Sequence, residues 1–286
     1  MTEQPRSADF VQSLERGLAV IRAFDSERPE LTLSDVARAT GFTRATARRF
    51  LLTLSELGYV SATDGHFSLC PRVLELGYSY LSSLGLPELA PPHMERLVAQ
   101  VNESSSISVL DDTDIVYVVR VPTRRIMSIT LSVGTRLPSY CTSMGRVLLA
   151  GLPEHELERL LARIELRPLT PRTMTDAGAL RQLLVRVRRQ GYALTDQELE
   201  EGLRSIAVPI RDSAGAVAAA LNVSVHASRA SGAALRRDVL PLALETATAI
   251  EADVRGAGAA PLGRSRSASS HVAGDDDLRE RLKAQD

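Results

Sequence analysis

The chain has 286 residues, with 34 Lys plus Arg against 35 Asp plus Glu, for a formal net charge of −1. That balance excludes a general polycation, and the length suits about two domains. Cys70 and Cys141 have neither metal-ligand spacing nor the numbers for a disulfide framework, so no metal and no cofactor is expected. MTEQPRSADF lacks the basic and apolar regions of a signal peptide, and no apolar run approaches the ~18 residues of a membrane span; a soluble cytoplasmic protein is expected. Lys283 is the only lysine, which reads as genome base composition before mechanism.

Ser13 to Phe24 reads as a first helix, with Leu14, Leu18, Ile21 and Phe24 on one face. Leu31 to Asp35 opens a second, which Thr32 can cap with Asp35 three residues on, and which Gly41 closes. After a three-residue turn comes Thr43 to Leu57, TRATARRFLLTLSEL. Wound as a helix, it puts Ala47, Phe50, Leu51, Leu54 and Leu57 on one side. Ala45, Arg48, Arg49 and Leu52 fall on the other, with Arg44 at the edge. Thr43 can cap its N-terminus. An apolar back and a small, basic front suit a helix that enters a DNA major groove. A solvated surface helix carries the same signs, and its neighbours decide between the two. Tyr59–Ala62 and His66–Leu69 read as short strands around Thr63-Asp64-Gly65. Three helices and a hairpin make a winged helix-turn-helix over residues 8–70. Thr43, Arg44, Ala45, Thr46, Arg48 and Arg49 are its candidate DNA-binding residues. The acids of this segment roughly cancel its arginines, so a single copy offers few phosphate contacts and a dimer is expected.

Pro71 suits the first turn of a helix, and Val73, Leu74, Leu76, Tyr78, Leu81 and Leu84 make residues 71–86 apolar enough to bury. This segment is read as a linker helix that pairs with its copy; an intradomain packing helix is the other reading. Residues 87–255 form a second, α+β domain. A helix is expected to Asn102, interrupted by Pro91 and Pro92. Ser106–Leu110 and Ile115–Val121 follow as a hairpin around Asp111 to Asp114, then a third strand over Ile126–Val133. Helices follow over Ser143–Ala150 and Glu154–Ile164. A longer one capped by Thr175 ends in Arg186, Arg188 and Arg189, which read as a solvated, dipole-matched face. Arg204–Arg211 and Ala216–Val225 are two more strands, and a helix over Gly232 to about Val254 ends the domain. An antiparallel sheet with helices segregated around it fits this order. Residues 256–286, rich in Gly, Ala, Ser, Arg and Asp, are expected to be disordered, with a fragile helix over Asp277–Gln285.

From about Val11 to Val254 these segments resemble the isocitrate lyase regulator (IclR) family of bacterial transcription factors. VQSLERGLAVIRAF resembles its first helix and LTLSDVARATGFTRATARRFLLTLSELGYV its helix-turn-helix. GTRLPSYCTSMGRVLLA (134–150) and DQELEEGLRSIAVPI (196–210) resemble the two motifs of its effector domain. SVGTRLPSYCTSMGRVLLA, LRSIAVPIRD and AALNVSVH resemble the branch that controls protocatechuate and p-hydroxybenzoate breakdown. The resemblance implies a GAF-like effector domain, binding of promoter DNA at an inverted repeat, a homodimer and possibly a tetramer. It also implies a small carboxylate effector: an aromatic acid or β-ketoadipate. An alternative is a repressor of another carbon pathway that responds to glyoxylate or pyruvate, but glyoxylate-type members look different at Ser205 and Asn222.

Carried over by motif, the effector pocket falls on Ser143, Met144, Leu203, Ser205, Asn222 and Ser224, with Ile126, Thr195 and Asp196 as further placements. Asn222 and Ser224 lie two apart on a predicted strand and share a face, where polar groups need partners. A ligand carboxylate supplies them; so does mutual hydrogen bonding or buried water. An acid also needs a cation, and Arg120, Arg124, Arg125, Arg136 and Arg204 are all candidates.

An enzyme is the rival class. No nucleophile elbow, phosphate loop, HExxH or dinucleotide fingerprint is present, and His66, His93, His155, His226 and His271 do not cluster. Cys141 has no His or Asp at a recognisable spacing and reads as a packed thiol. A winged helix used only for protein contacts is the remaining alternative.

Overall fold

The computed structural model describes residues 9–25, 27–123 and 131–256. They form two compact units that divide between Ser79 and Tyr80.

In the first unit, α1 (Gln12–Ile21) precedes β1 (Glu30–Thr32), α2 (Leu33–Thr40), α3 (Arg44–Glu56), β2 (Val60–Thr63) and β3 (His66–Leu69). Thr32 starts α2 with a complete capping box: its hydroxyl accepts the Asp35 N–H at 3.3 Å, and the Asp35 carboxylate accepts the Thr32 N–H at 3.1 Å. Gly41 ends α2 in the left-handed region, φ 70°. Asp64 (φ 50°) and Gly65 (φ 80°) supply the two left-handed positions that a two-residue hairpin turn needs. The sheet has a strand absent from the sequence reading, because β1 pairs antiparallel with β3, Glu30 opposite Ser68, in the order β1-β3-β2. Val20, Val36, Ala47, Leu51 and Val60 form the centre of this unit's core. The face expected for α1 is corrected: Val20, Ala23 and Phe24 are buried, whereas Leu14 and Leu18 are exposed. The helix ends at Ile21, so Ala23 and Phe24 reach the core from the turn that follows it, and Leu14 and Leu18 stay uncovered.

A 3-10 turn (Pro71–Leu74) leads into α4 (Glu75–Leu84), which carries the division between the units. Leu84 is its buried residue; Leu74, Leu76, Tyr78 and Tyr80 are exposed.

The second unit continues with α5 (Leu86–Leu89), α6 (Pro91–Val101), β4 (Ser104–Asp111), β5 (Asp114–Val121), β6 (Arg136–Pro138), α7 (Ser143–Gly151), α8 (Glu154–Leu161) and α9 (Ala177–Gln190). After these come β7 (Ala193–Asp196), β8 (Leu203–Arg211), β9 (Val217–His226), a short α10 (Gly232–Ala234), a π turn (Leu235–Val239) and α11 (Leu240–Gly256). The prolines at 91 and 92 open α6 rather than interrupt it, since Pro lacks only an N–H that the first turn leaves unpaired. Asp176, not Thr175, caps α9 by accepting the Ala179 N–H at 2.6 Å. Arg186, Arg188 and Arg189 are exposed, and Arg188 also donates to the carbonyls of Ala150 and Leu152 at the end of α7. Of the strand expected at Ile126–Val133, residues 126–130 lie outside the described residues. Leu131–Val133 are not strand, and the edge strand is β6. β7 is a further strand that the sequence pattern does not predict. Most of the expected disordered tail, residues 257–286, also lies outside the described residues.

The six strands run antiparallel in the order β6-β5-β4-β9-β8-β7. Alternation along each strand makes two different faces. Ile107, Val109, Ile206, Val208, Leu221 and Val223 meet α6 and α11 in a wholly apolar layer. On the opposite face, Ile115, Tyr117, Ala193, Ala207 and Ala220 meet α7, α8 and α9. That second layer is apolar only in part. Ser106, Ser108, Asn222, Ser205 and Thr195 share the face and are buried. Burying so many polar groups on one side of a sheet is costly unless each is hydrogen-bonded, and this side holds the cavity described next.

Candidate functional site

Two sites emerge, one in each unit. In the first, Thr43 caps α3 by accepting the Thr46 N–H at 3.2 Å. Ala47, Leu51 and Leu54 fix the back of the helix in the core. Arg44, Ala45, Arg48 and Arg49 are thereby presented to solvent, with Thr46 half-buried beside them. None of the three guanidiniums meets a carboxylate among the described residues. Elsewhere arginines are commonly matched: Arg38 pairs with Asp35 and Arg181 with Glu158. An unneutralised cationic face on a capped helix suits a polyanion.

In the second unit, the start of α7 closes over the polar half of the sheet. Gly145 lets α7 fold back against the loop that leads into it, because a Cβ there would sit 2.1 Å from the Ser139 carbonyl oxygen. The cavity so formed has a volume of about 30 Å³. Seven of the nine residues assigned to a pocket from sequence line it together: Ser143, Met144, Thr195, Leu203, Ser205, Asn222 and Ser224. Ile126 lies outside the described residues. Asp196 is not in the lining. It follows Thr195 directly on β7, so its side chain points to the other face, where it pairs with Arg204 at 2.7 Å and Arg172 at 3.1 Å.

The polar lining is largely self-satisfied. The Asn222 side-chain Oδ1 accepts the Ser106 N–H at 3.1 Å, and its Nδ2 donates to the Ser224 hydroxyl at 3.0 Å. The Ser143 and Ser205 hydroxyls share a 2.5 Å hydrogen bond, and Thr195 joins them at 3.2 Å.

Arg120 is the exception, and it separates itself from the other four arginines proposed from sequence. Arg136 pairs with Asp111 and Asp114 at the surface, Arg204 pairs with Asp196, and Arg124 and Arg125 lie outside the described residues. Arg120 lines the cavity, half-buried, with one long hydrogen bond, 3.4 Å to the Ser106 hydroxyl, and no carboxylate among the described residues. Burial pulls its pKa down, opposed by the nearby Tyr117. Tyr117, missed from sequence, also lines the cavity; burial pushes its hydroxyl up to about 12. Cys141 lines it as well. Its thiol is pushed up to about 12 by burial, so it is a packed, protonated thiol rather than a nucleophile. The lining also includes Leu199 and Glu200, from the loop between β7 and β8.

Both units have known counterparts. Residues 13–64 match the IclR helix-turn-helix domain, and residues 78–252 match the family described as bacterial transcriptional regulator IclR, C-terminal. The Pca regulon regulatory protein of Pseudomonas putida is 46% identical over 237 residues, 82% of this chain and 81% of that protein. The p-hydroxybenzoate hydroxylase transcriptional activator of Acinetobacter baylyi is 38% identical over 251 residues, 86% of this chain and 93% of that protein. Among solved structures, an IclR homolog from Microbacterium hydrocarbonoxydans complexed with 4-hydroxybenzoate is similar with a TM-score of 0.76 and 31% identity, over 85% of this chain and 99% of that one. A cationic helix in one matched unit and a polar cavity in the other make a consistent pair, and the chain belongs to the IclR family of bacterial transcriptional regulators.

Proposed function

We propose that this regulator responds to an aromatic monocarboxylate, such as 4-hydroxybenzoate or protocatechuate, bound in the cavity of the second unit, and that it controls genes for aromatic-acid breakdown. Arg120 carries the reading: a half-buried guanidinium that lines the cavity without an ion-paired carboxylate among the described residues. An anion is the natural partner for such a group. Apolar surface from Tyr117, Leu131, Met144, Leu199 and Leu203 suits a ring better than it suits glyoxylate or pyruvate. Among the described residues Arg120 is the one cation of the lining, and Glu200 shares it, which favours one carboxylate over the two of β-ketoadipate. Cavities of about 150 Å³ are the size that takes benzene, so a ring must part the walls of a 30 Å³ space. Binding therefore selects a different arrangement of the unit, as a regulatory ligand must.

The α3 helix enters the major groove, with Arg44, Arg48 and Arg49 facing the DNA. A dimer places two copies on an inverted repeat. The exposed Leu14 and Leu18 of α1 and Leu74, Leu76 and Tyr78 are apolar surface that self-association would cover. A tetramer through the second units is a further assembly step.

Titration calorimetry with 4-hydroxybenzoate, protocatechuate, β-ketoadipate, glyoxylate and pyruvate tests the ligand. Hydrogen bonds to a charged group contribute about 1.5–3 kcal/mol, so Arg120→Met should weaken aromatic-acid binding roughly ten- to a hundredfold. Equal affinity in wild type and Arg120→Met would sink the assignment. A mobility shift on the DNA upstream of the chain's own gene, with and without acid, tests the regulator.

A further inference from the structure

The loop between β7 and β8 is a built element. Gln197 N–H donates to the Leu203 carbonyl at 2.7 Å and Gly202 N–H donates to the Gln197 side chain at 3.0 Å, so the loop closes on itself. Its outer residues, Leu199 and Glu200, form one wall of the cavity. The residue before them, Glu198, is not part of that wall. Its carboxylate accepts both terminal nitrogens of Arg146, each at 2.6 Å, and the Met174 N–H at 3.2 Å. Arg146 stands one turn beyond Ser143 and Met144, the α7 residues of the lining. Its Nε donates to the Tyr140 carbonyl at 2.8 Å. The pair is buried, with 2% of the Arg146 side chain and 12% of the Glu198 side chain exposed. Neither residue lines the cavity.

A bidentate pair of this kind fixes orientation as well as distance. Desolvating both charges offsets most of its Coulombic gain, so stability alone is a weak reason for it. What it does fix is the seat of the loop on α7, so that Leu199 and Glu200 keep their places beside Ser143 and Met144 when the rest of the lining moves apart for a ring.

We propose that Arg146 and Glu198 are positioning residues for acid binding: the pair ties the Leu199–Glu200 segment to α7, so that the two move as one when the cavity opens, and so shapes the site to its ligand. The proposal rests on the acid-binding reading above. A ring fits only if both walls present their side chains together, while the carboxylate contact at Arg120 lies on a different element, β5. Loosening the pair therefore erodes shape selection more than it erodes charge recognition.

The test compares the full-length wild type with the double variant Arg146→Met/Glu198→Leu, which replaces the buried pair by apolar side chains, and with Glu198→Asp, which keeps the charge and shortens the reach. Calorimetric Kd values for 4-hydroxybenzoate and 3-hydroxybenzoate are measured alongside circular dichroism and Kd for operator DNA. In the folded, DNA-binding variants, 4-hydroxybenzoate should bind at least tenfold more weakly. The ratio of the two Kd values, which does not depend on the folded fraction, should move towards one. An unchanged ratio and affinity in a folded variant overturns the proposal. If the double variant does not fold, Glu198→Asp decides by the same two readouts. Wild-type protein that binds no hydroxybenzoate overturns the acid-binding reading and this proposal together; wild-type binding that the variants share overturns this proposal alone.

Discussion

Gly145 of α7 lies against the backbone of Ser139 so closely that a Cβ would come within 2.1 Å of the Ser139 carbonyl oxygen and 2.4 Å of its Cα. Both obstructing atoms are main chain, and no side-chain rotation can yield. The glycine thus decides how deeply α7 seats, and with it the positions of Ser143 and Met144 in the cavity and of Arg146 beneath it. Overpacking a core costs about 1–3 kcal/mol where neighbours can relax. Gly145→Ala should reach the upper end of that range or exceed it, read as a lower midpoint in urea. The folded fraction should also lose affinity for aromatic acid, because α7 must withdraw. A change below about 0.5 kcal/mol, within the ordinary surface range, would count against this view of the contact.

On α3 the three arginines should separate by role. Arg48 lies on the outer face among small residues, while Arg44 stands at the helix start, where phosphate contacts concentrate. Arg48→Ala should cost about 1–3 kcal/mol on the specific operator and little on random DNA if it reads a base edge. Arg44→Ala should weaken both DNAs alike and flatten the salt dependence by about 0.9 in log–log slope per lost phosphate contact. Fluorescence anisotropy over a salt series distinguishes them. Equal losses for Arg48→Ala on both DNAs would make it a phosphate contact instead.

The Thr32–Asp35 box sets where α2 begins and hence the turn that carries Thr43. Loss of an N-cap costs about 1 kcal/mol, so Thr32→Ala should lower stability by that amount. Thr32→Ser, which keeps the hydroxyl, should stay near wild type. A thermal-unfolding comparison of the two checks it, and equal losses would assign the effect to the Thr32 methyl group rather than to the cap.

What could be read from sequence follows the physical range of the signal. The capping box, Gly41 and the Asp64-Gly65 turn act within a few residues, and they place α2, α3 and the hairpin. β1 is three residues long, too short to show a period, and it was absorbed into the start of α2. Asn222 and Ser224 were legible as one face because β9 is regular there. Tyr117 and Arg120 were not, because the register between β4 and β5 shifts at Ile107/Ser108. That irregularity puts residues three apart on the same face, against the period of two. Asp196 was grouped with Thr195 by adjacency, although neighbours on a strand face opposite ways. The Arg146–Glu198 pair joins residues 52 apart in the chain, and no local pattern announces it.

Cys141 and Tyr117 predict how stability responds to alkali. Burial raises the Cys141 thiol from its usual 9.0, and the Tyr117 hydroxyl from its usual 10.0, each to about 12. Below about pH 9 the folded and unfolded chains both keep these protons, and neither group makes stability depend on pH. Above it the unfolded chain releases protons that the folded chain retains. The unfolded state then binds fewer protons, and the free energy of unfolding falls as pH rises. The slope is about 1.4 kcal/mol per pH unit for each group. Cys141 contributes from about pH 9 and Tyr117 from about pH 10, both until about pH 12. Cys141→Ala removes one of these groups. It should be less stable than wild type at pH 8, because a packed side chain is truncated, but it should lose less between pH 8.5 and 10.5. Denaturant midpoints at the two pH values give the comparison, and parallel losses in the two proteins would show that the Cys141 thiol is not held protonated by the fold.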